Sequence, residues 1–485
     1  MKNVAIISTS LNSGGAERIA GLLSKEISRK YNVYLFLLST EDIVYEWGGT
    51  IVDIGQLGPF YEYLIKFYKS FYKIDVAISF LEIMNFANIR TLGDEKIIIS
   101  ERCVQSRVEP SLISQSIKIK RYYDFADEIV SCSEGVKFDL VHNYGIENRI
   151  TTIYNFIEKE VISVKAHEHM PDEVGTFLKG AEFFVNVGRL HPQKNQKRLI
   201  MQFAHFHELY QNIKLLIIGS GELELELESY IAELGLRDSV KVVKYTSNPF
   251  LYVARAKALV IASHYEGLPN VILEAMTLGC PIIAADCLAG PRELLIDEMD
   301  YKKSMPSLKI GQRGILVCDN KTEDNGNSWN MAKAMDILCS SDSLAEELRE
   351  NELAYMKEYT NRKILEQWIN VIERGKQKKR VNVLEKEEEL LCKAKHIVIY
   401  GAGHVGKNIF LRLSKQYKID CFVVSKKKTW ESEFLGIPIY AVTELDYCPD
   451  DTVAIIGVGD NSQDDVIRTL QKYGFMQYVF PYIEL

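Results

Sequence analysis

The sequence predicts an α/β protein made of two doubly wound units and a third, smaller one. Short apolar runs alternate with longer helical patterns almost from end to end, the signature of parallel sheets covered by helices on both faces. The length, 485 residues, suits about three domains at roughly 100–200 residues each. Two charged, loosely patterned stretches interrupt the alternation, and each is followed by a fresh strand pattern.

The first series opens with Val4–Ser8 as a strand and Ser13–Lys30 as a glycine-led helix. Strands follow at Val33–Ser39, Val76–Phe80, Ile97–Ser100, Glu128–Cys132 and Ile150–Tyr154, close to Asn155. The stretch Glu158–Gly180 marks the first boundary, giving domains at 1–160 and 161–375. In the second, strands are expected at Phe183–Gly188, Leu215–Gly219, Val240–Lys244, Ala258–Ala262, Pro281–Ala285 and Gly314–Val317. Helices around Asn330–Cys339, Ser343–Lys357 and Asn361–Glu373 lead to a charged linker, 376–389, basic and then acidic. The third unit, 390–485, carries strands at His396–Tyr400, Cys421–Ser425, Thr452–Gly457 and Tyr478–Pro481.

Composition narrows the class. A hydrophobic content of 47% with 26% charged residues is that of a globular chain with ample core material, not a disordered one. A net charge of −8 argues against a dedicated nucleic-acid binder. Nine cysteines, an odd number without a CxxC pair, exclude a complete internal disulfide framework and suit a reducing, cytoplasmic setting. Met1–Ser8 reads as a buried strand rather than a leader, and no apolar run reaches the ~18–20 residues that span a bilayer. Membrane contact, on this reading, is peripheral.

Ligands of α/β sheets bind beyond the carboxyl ends of the strands, so the loops there hold the candidates. After the first strand, Gly14-Gly15-Ala16-Glu17-Arg18 places two glycines before a helix, offering free amides and a positive dipole end to an anion; a packing turn is the alternative. The second unit's first strand ends in Gly188-Arg189-Leu190, with Lys194 five residues past Arg189. Two cations in one loop can neutralise the charge that grows on a departing diphosphate, although in isolation a solvated Arg and Lys is the better reading. The third element is Glu266-Gly267-Leu268-Pro269-Asn270-Val271, followed by a helix that carries Glu274. Its two carboxylates flank a helix start and can grip separate hydroxyl-bearing parts of a ligand; either acid alone could simply complement the dipole.

These segments, with Gly219-Ser220-Gly221, Ser247-Asn248-Pro249 and Gly290-Pro291-Arg292-Glu293, occur in the order seen in retaining nucleotide-sugar glycosyltransferases. Over roughly residues 1–375 the chain resembles family 4 of these enzymes, which have the GT-B fold: two Rossmann-like domains facing a cleft. The resemblance implies transfer of a sugar from a nucleotide-sugar donor, most often UDP-linked, onto a growing bacterial surface glycan, in some relatives lipid-linked, without a metal or other cofactor. It implies that Arg189 and Lys194 hold the diphosphate and that Glu266 lies against the transferred sugar. Glu274 would bind the ribose hydroxyls, and the amides near Leu268, Asn270 and Val271 would complete the cradle. Gly188, Gly219 and Gly221 would leave room for the nucleoside beside Asn248, and Gly15 would bring the first domain's helix to the diphosphate. Many relatives carry a histidine where this chain reads Ser100-Glu101-Arg102-Cys103, so Glu101 and Arg102 stand as sugar or acceptor candidates, with a salt-bridged loop pair as the alternative. A nucleotide-sugar epimerase on the same fold and a non-catalytic partner subunit are the competing readings. The ordered glycine motif with its paired acids favours transfer, and intact Arg189, Lys194 and Glu274 count against a silent subunit.

Tyr61–Lys73 interleaves aromatic residues with Lys66, Lys69 and Lys73, and Gln115–Tyr123 adds Lys118, Lys120 and Arg121. Such segments suit the headgroup layer on the inner face of a membrane; helices packed on a sheet are the alternative. In the third unit, Gly401-Ala402-Gly403-His404-Val405-Gly406 follows a strand and opens a helix, the glycine pattern that admits a diphosphate to the backbone. The next strand ends in Ser425-Lys426-Lys427-Lys428 rather than an acid, which argues against ordinary NAD use. With Gly436-Ile437-Pro438 and Gly457–Asn461, this unit resembles the small Rossmann-like nucleotide-sugar-binding unit of some bacterial sugar acetyltransferases, and a purely structural role is the alternative.

Overall fold

The computed structural model describes residues 1–485 except 13, 109–112, 304–306, 319–328, 377–382, 427–431, 460–461 and 481–485. Lys427, Lys428, Asn461, Pro481 and the first part of the expected linker therefore lie outside the described residues. The first sheet contains β1 (Asn3–Ser8), β2 (Asn32–Leu37), β3 (Thr50–Asp53), β4 (Val76–Phe80), β5 (Lys96–Glu101), β6 (Glu128–Ser131) and β7 (Ile150–Thr152). Its order is β3-β2-β1-β4-β5-β6-β7, and every pairing is parallel.

The second sheet repeats this plan with β8 (Phe183–Val187), β9 (Lys214–Ile218), β10 (Val240–Val243), β11 (Ala258–Ile261), β12 (Ile282–Ala285), β13 (Leu308–Ile310) and β14 (Ile315–Val317). The order is β10-β9-β8-β11-β12-β14-β13, parallel except for the last pair. A third sheet has β15 (His396–Tyr400), β16 (Cys421–Val424), β17 (Glu433–Phe434), β18 (Ile437–Ala441), β19 (Thr452–Ile456) and β20 (Tyr478–Val479) in the order β17-β18-β16-β15-β19-β20.

Near-continuous Val, Ile, Leu and Phe runs make these strands, because both faces are covered by helices. Val4, Ile6 and Ile78 face one side of the first sheet, Ala5 and Ile7 the other, and all are buried. In each sheet the strand order reverses beside the first strand, at β1/β4, β8/β11 and β15/β19. Those switch points open the crevices where loops of α/β sheets bind ligands.

Several elements differ from the sequence reading. Strands β3, β13, β17 and β18 were not expected; they are short and flanked by Gly, Pro or polar residues. The helix Asn361–Glu373 falls inside the expected second domain, 161–375, yet it packs back on the first lobe. Trp368 is fully buried with its ring 6.1 Å from that of Phe80, and Tyr31 donates to Glu373 at 2.7 Å. Lys96, buried under this helix, donates to the Arg374 carbonyl at 2.8 Å, where a cation complements the helix C-terminus; burial pushes it down to about 8. The expected charged linker, 376–389, gives way in its second half to the helix Val383–Lys393, with Glu387 buried against the first lobe. The Gln115–Tyr123 stretch is likewise turned toward the third lobe: Lys118 and Arg121 lie over the Phe480 ring at 5.2 and 5.9 Å. Among the described residues no helix is long and apolar enough to cross a membrane.

Glu352 is fully buried on the helix Asp342–Glu358, and among the described residues neither of its carboxylate oxygens finds a hydrogen-bond partner. Burial pushes this carboxyl well above the ordinary 4.5. A group whose folded value is raised contributes full stability below its unfolded value and loses that contribution as pH rises through the folded value. Glu352→Gln should therefore stabilise the protein at pH 8 by roughly 1–3 kcal/mol, with the gain gone near pH 4.5. Thermal unfolding at the two pH values checks this, and an equal change at both would contradict it.

Candidate active site

The loops after β1, β8 and β11 converge on the crevice between the first two lobes. The helix Gly15–Ile27 starts opposite the helix Asn270–Leu278: a Cβ added to Gly15 would stand 3.1 Å from Asn270 Nδ2. Two helix N-termini thus face each other across the cleft, and both present positive dipole ends to it. Leu268 is buried, and Val271 is partly buried in the first turn of the second helix.

Arg189 and Lys194 leave the strand β8 on one loop. Gln193 donates to the Tyr265 carbonyl at 2.8 Å, and His264 N donates to Gln193 O at 2.8 Å, so this loop is tied to the one carrying Glu266. His191 accepts from Gln193 N at 3.2 Å, and Asn195, at φ +54°, ends the turn that holds Lys194. Lys194 Nζ lies 2.5 Å from Glu266 Oε1, and its stem packs on Gly188. Arg189 is exposed and has no ion-pair partner among the described residues, while the first-lobe Glu17 interacts with it through space. Burial raises Glu17 above its usual range.

The expected role of Glu274 acquires a partner that sequence reasoning missed. Arg18 of the first lobe crosses the cleft to Glu274 at 2.6 Å and also approaches Glu158 at 3.5 Å. Burial works against the Arg18 charge, but Glu274 outweighs it and holds Arg18 above its ordinary value. Arg18 closes the Gly14–Arg18 motif itself, so the signal lay in the sequence; its target, 256 positions away, did not.

Asn155 is the second missed residue. Buried just beyond β7, it donates to the Leu268 carbonyl at 3.1 Å and to Asn270 Oδ1 at 2.5 Å, and it accepts from the Arg102 guanidinium. Glu293 adds a further lock between lobes, accepting from Glu134 N at 2.9 Å and from the Tyr154 hydroxyl at 2.9 Å.

Other expected residues sit differently. A Cβ on Gly219 would overlap the Gly188 carbonyl, and one on Gly221 the Leu190 carbonyl, so these glycines serve loop packing rather than open space for a nucleoside. Asn248 is buried and turned away toward the helix Lys159–Ala166, donating to Lys165 O at 2.9 Å and Glu168 at 2.7 Å. Glu101 is buried with both oxygens engaged, and burial pushes it up to about 7. Arg102 is spent on Asn155, and its carbonyl fills the place a Cβ on Gly267 would need. Both line the lobe interface as bracing groups, not as free contacts. In the third lobe, Gly401 (φ +112°), Gly406 and Gly457 pack backbone on backbone, whereas among the described residues none but its chain neighbours comes within 4 Å of where a Cβ on Gly403 would point.

The family described as glycosyl transferases group 1 matches residues 172–303. A Campylobacter jejuni N-acetylgalactosamine-N,N'-diacetylbacillosaminyl-diphospho-undecaprenol 4-alpha-N-acetylgalactosaminyltransferase is 31% identical over 334 residues, 63% of this chain and 88% of its own. An uncharacterized glycosyltransferase of Methanocaldococcus jannaschii is 31% identical over 267 residues, 52% of this chain; the chain spans 65% of its length. Among solved structures, sucrose-phosphate synthase from Thermosynechococcus elongatus superposes with a TM-score of 0.61 at 16% identity, covering 76% of this chain and 98% of its own. Anabaena HepE in complex with UDP gives 0.57 at 17% identity over 77% of this chain and 99% of its own. With its two doubly wound lobes closed on a shared crevice, the chain belongs to the group 1 glycosyltransferases of the GT-B fold.

Proposed function

We propose that the protein is a retaining transferase of family 4 that moves a sugar from a UDP-linked donor onto a growing bacterial surface glycan carried on a lipid. The convergence of Arg189, Lys194 and two helix N-termini on one crevice is the observation that carries this reading. In it, Arg189 and Lys194 take the charge that grows on the nucleoside diphosphate as the glycosidic bond to it breaks, with amides at Gly15, Asn270 and Val271 sharing the load. These fixed positive groups serve where other transferases use a divalent ion. Glu274, held by Arg18, receives the ribose hydroxyls, and Glu266 faces the sugar. Attack from the face the leaving group vacates, with a departing phosphate oxygen accepting the acceptor's proton, retains the anomeric configuration without a protein base.

The relatives support the donor and acceptor classes. HepE was solved with UDP, and the Campylobacter relative acts on an undecaprenol-linked saccharide by its name. The helix Tyr61–Phe71 supports peripheral contact with the inner membrane face: it buries Ile65 and turns Phe67 and Phe71 outward. Lys69 takes no part in that face, because it is buried in an ion pair with Glu95 at 2.8 Å. The boundaries 1–160, 161–375 and 390–485 stand as functional units in this reading, the last an accessory nucleotide-sugar module whose open Gly403 heads the helix His404–Leu413. Incubating the protein with labelled UDP-sugars and bacterial membrane extract tests the proposal. Label passing to the lipid fraction supports it, and interconversion of the free nucleotide-sugars without transfer overturns it.

A further inference from the structure

The helix Ile113–Tyr122 of the first lobe is gripped at both ends by the third. At its start, Asp464 Oδ1 accepts from the Ser114 amide at 2.6 Å, capping it from another lobe. At its end, Arg121 donates to the third lobe's Tyr478 carbonyl at 2.7 Å, and the buried Glu387, on the helix Val383–Lys393 that leads into that lobe, accepts from Arg121 at 3.0 Å and from the Tyr122 hydroxyl at 2.7 Å. Burial opposes the Arg121 charge, and Glu387 outweighs it, holding Arg121 above its ordinary value. Between these grips Ile117 packs against the third lobe's apolar core.

The opposite side of the same helix leads to the cleft. Gln115 donates to Gln105 Oε1 at 2.7 Å, and Gln105 donates to Glu101 Oε1 at 2.9 Å. Tyr123, one residue past the helix, donates to the other Glu101 oxygen at 2.7 Å. Glu101 thus has one oxygen linked through Gln105 to the start of the helix and the other to the residue just past its end, and it accepts from the Arg102 and Cys103 amides at 2.9 and 3.3 Å. The Arg102 carbonyl abuts Gly267, next to Glu266, and its guanidinium holds Asn155, which holds Asn270. Every member of this chain from Glu101 onward is buried or half-buried, so a broken bond leaves a polar group unsatisfied and the shift is passed on rather than absorbed by water.

We propose that the third lobe is a positioning element of the transferase: by clamping the Ile113–Tyr122 helix it sets residues 101–108 against Gly267 and Glu266. Asp464, Glu387, Gln105 and Glu101 are positioning residues, remote from the reacting atoms, and their effect falls on acceptor placement rather than on donor binding. The assignment to the acceptor rests on the reading under Proposed function; the mechanical coupling does not.

The test uses the full-length double variant Asp464→Ala/Glu387→Gln. Amide hydrogen exchange in residues 101–108 is expected to quicken by about tenfold, while β8, β9 and β11 keep their protection. In transfer assays with a UDP-sugar and membrane extract, half-saturating extract should rise about tenfold with the UDP Kd unchanged. Gln105→Ala, which leaves the third lobe untouched, should reproduce both effects, and it stands in if the double variant does not fold. Unchanged exchange at 101–108, in a double variant whose helix Gln463–Lys472 exchanges faster, would overturn the proposal. That readout needs no substrate, so it decides the coupling separately from the donor assignment.

Discussion

Replacing Lys194 with alanine should lower turnover about 10²–10³-fold while costing no more than about 1–2 kcal/mol of stability. The two effects separate because of where the ammonium sits. Lys194 lies at the cleft edge, its side chain 20% exposed, so water can take its place beside Glu266, which is itself only 9% exposed and loses its counter-charge. Little core is lost, since only the stem packs, on Gly188. The charge that grows on a departing diphosphate has no such substitute: a water that enters must reorganise, whereas the ammonium is held by Glu266 on a loop that Gln193, His264 and the turn at Asn195 tie down. Single-turnover rates and thermal melts of the variant measure both numbers. Equal losses of rate and stability would remove Lys194 from the site.

Arg18→Ala should act on the other kinetic constant, raising the KM for the nucleotide-sugar by about 10–100-fold with a smaller change in kcat. The Arg18–Glu274 pair spans the two lobes at 2.6 Å, with side chains 19% and 8% exposed. Removing the arginine leaves a nearly buried carboxylate without its counter-charge, which is costly, and loosens the closed arrangement of the lobes. In the proposed reading Glu274 meets the ribose in both ground and transition states, so its misplacement weakens uniform binding rather than the chemical step. Arg18→Lys should restore part of the affinity. A fall in kcat at unchanged KM would assign Arg18 to the reacting centre instead.

Much of the fold was legible because buried parallel strands write themselves as apolar runs. The expected strands at Val4–Ser8, Val76–Phe80, Phe183–Gly188, Ala258–Ala262 and His396–Tyr400 differ from the observed ones by no more than a residue at either end. The strands that escaped lie toward sheet edges. Thr50–Asp53 follows Gly48 and Gly49, and Ile437–Ala441 contains Pro438, so their local chemistry reads as turn.

The candidate site was legible as loops, since strand ends are where ligands gather, and the structure does bring those of Gly15, Lys194, Glu266 and Asn270 together. Contacts between lobes were not legible. Nothing in a single sequence links Arg18 to Glu274 or Asn155 to Asn270, because tertiary closure makes those pairs. The same limit explains Gly219 and Gly221: a glycine that admits a ligand and one that admits a neighbouring carbonyl look identical along the chain. Gln115–Tyr123 was a basic stretch in sequence and is a docking surface in space, because Asp464, Glu387 and Phe480 come from more than 250 positions away.

In the proposed reading the cleft between the first two lobes binds a nucleoside diphosphate through Arg189 and Lys194. Titrating the protein with UDP in a calorimeter tests it directly. One site per chain, with a Kd in the range of about 1 μM to 1 mM that weakens at least tenfold in Arg189→Ala and in Lys194→Ala, is the result expected. No heat of binding to the intact protein, or an affinity that both substitutions leave unchanged, would contradict it.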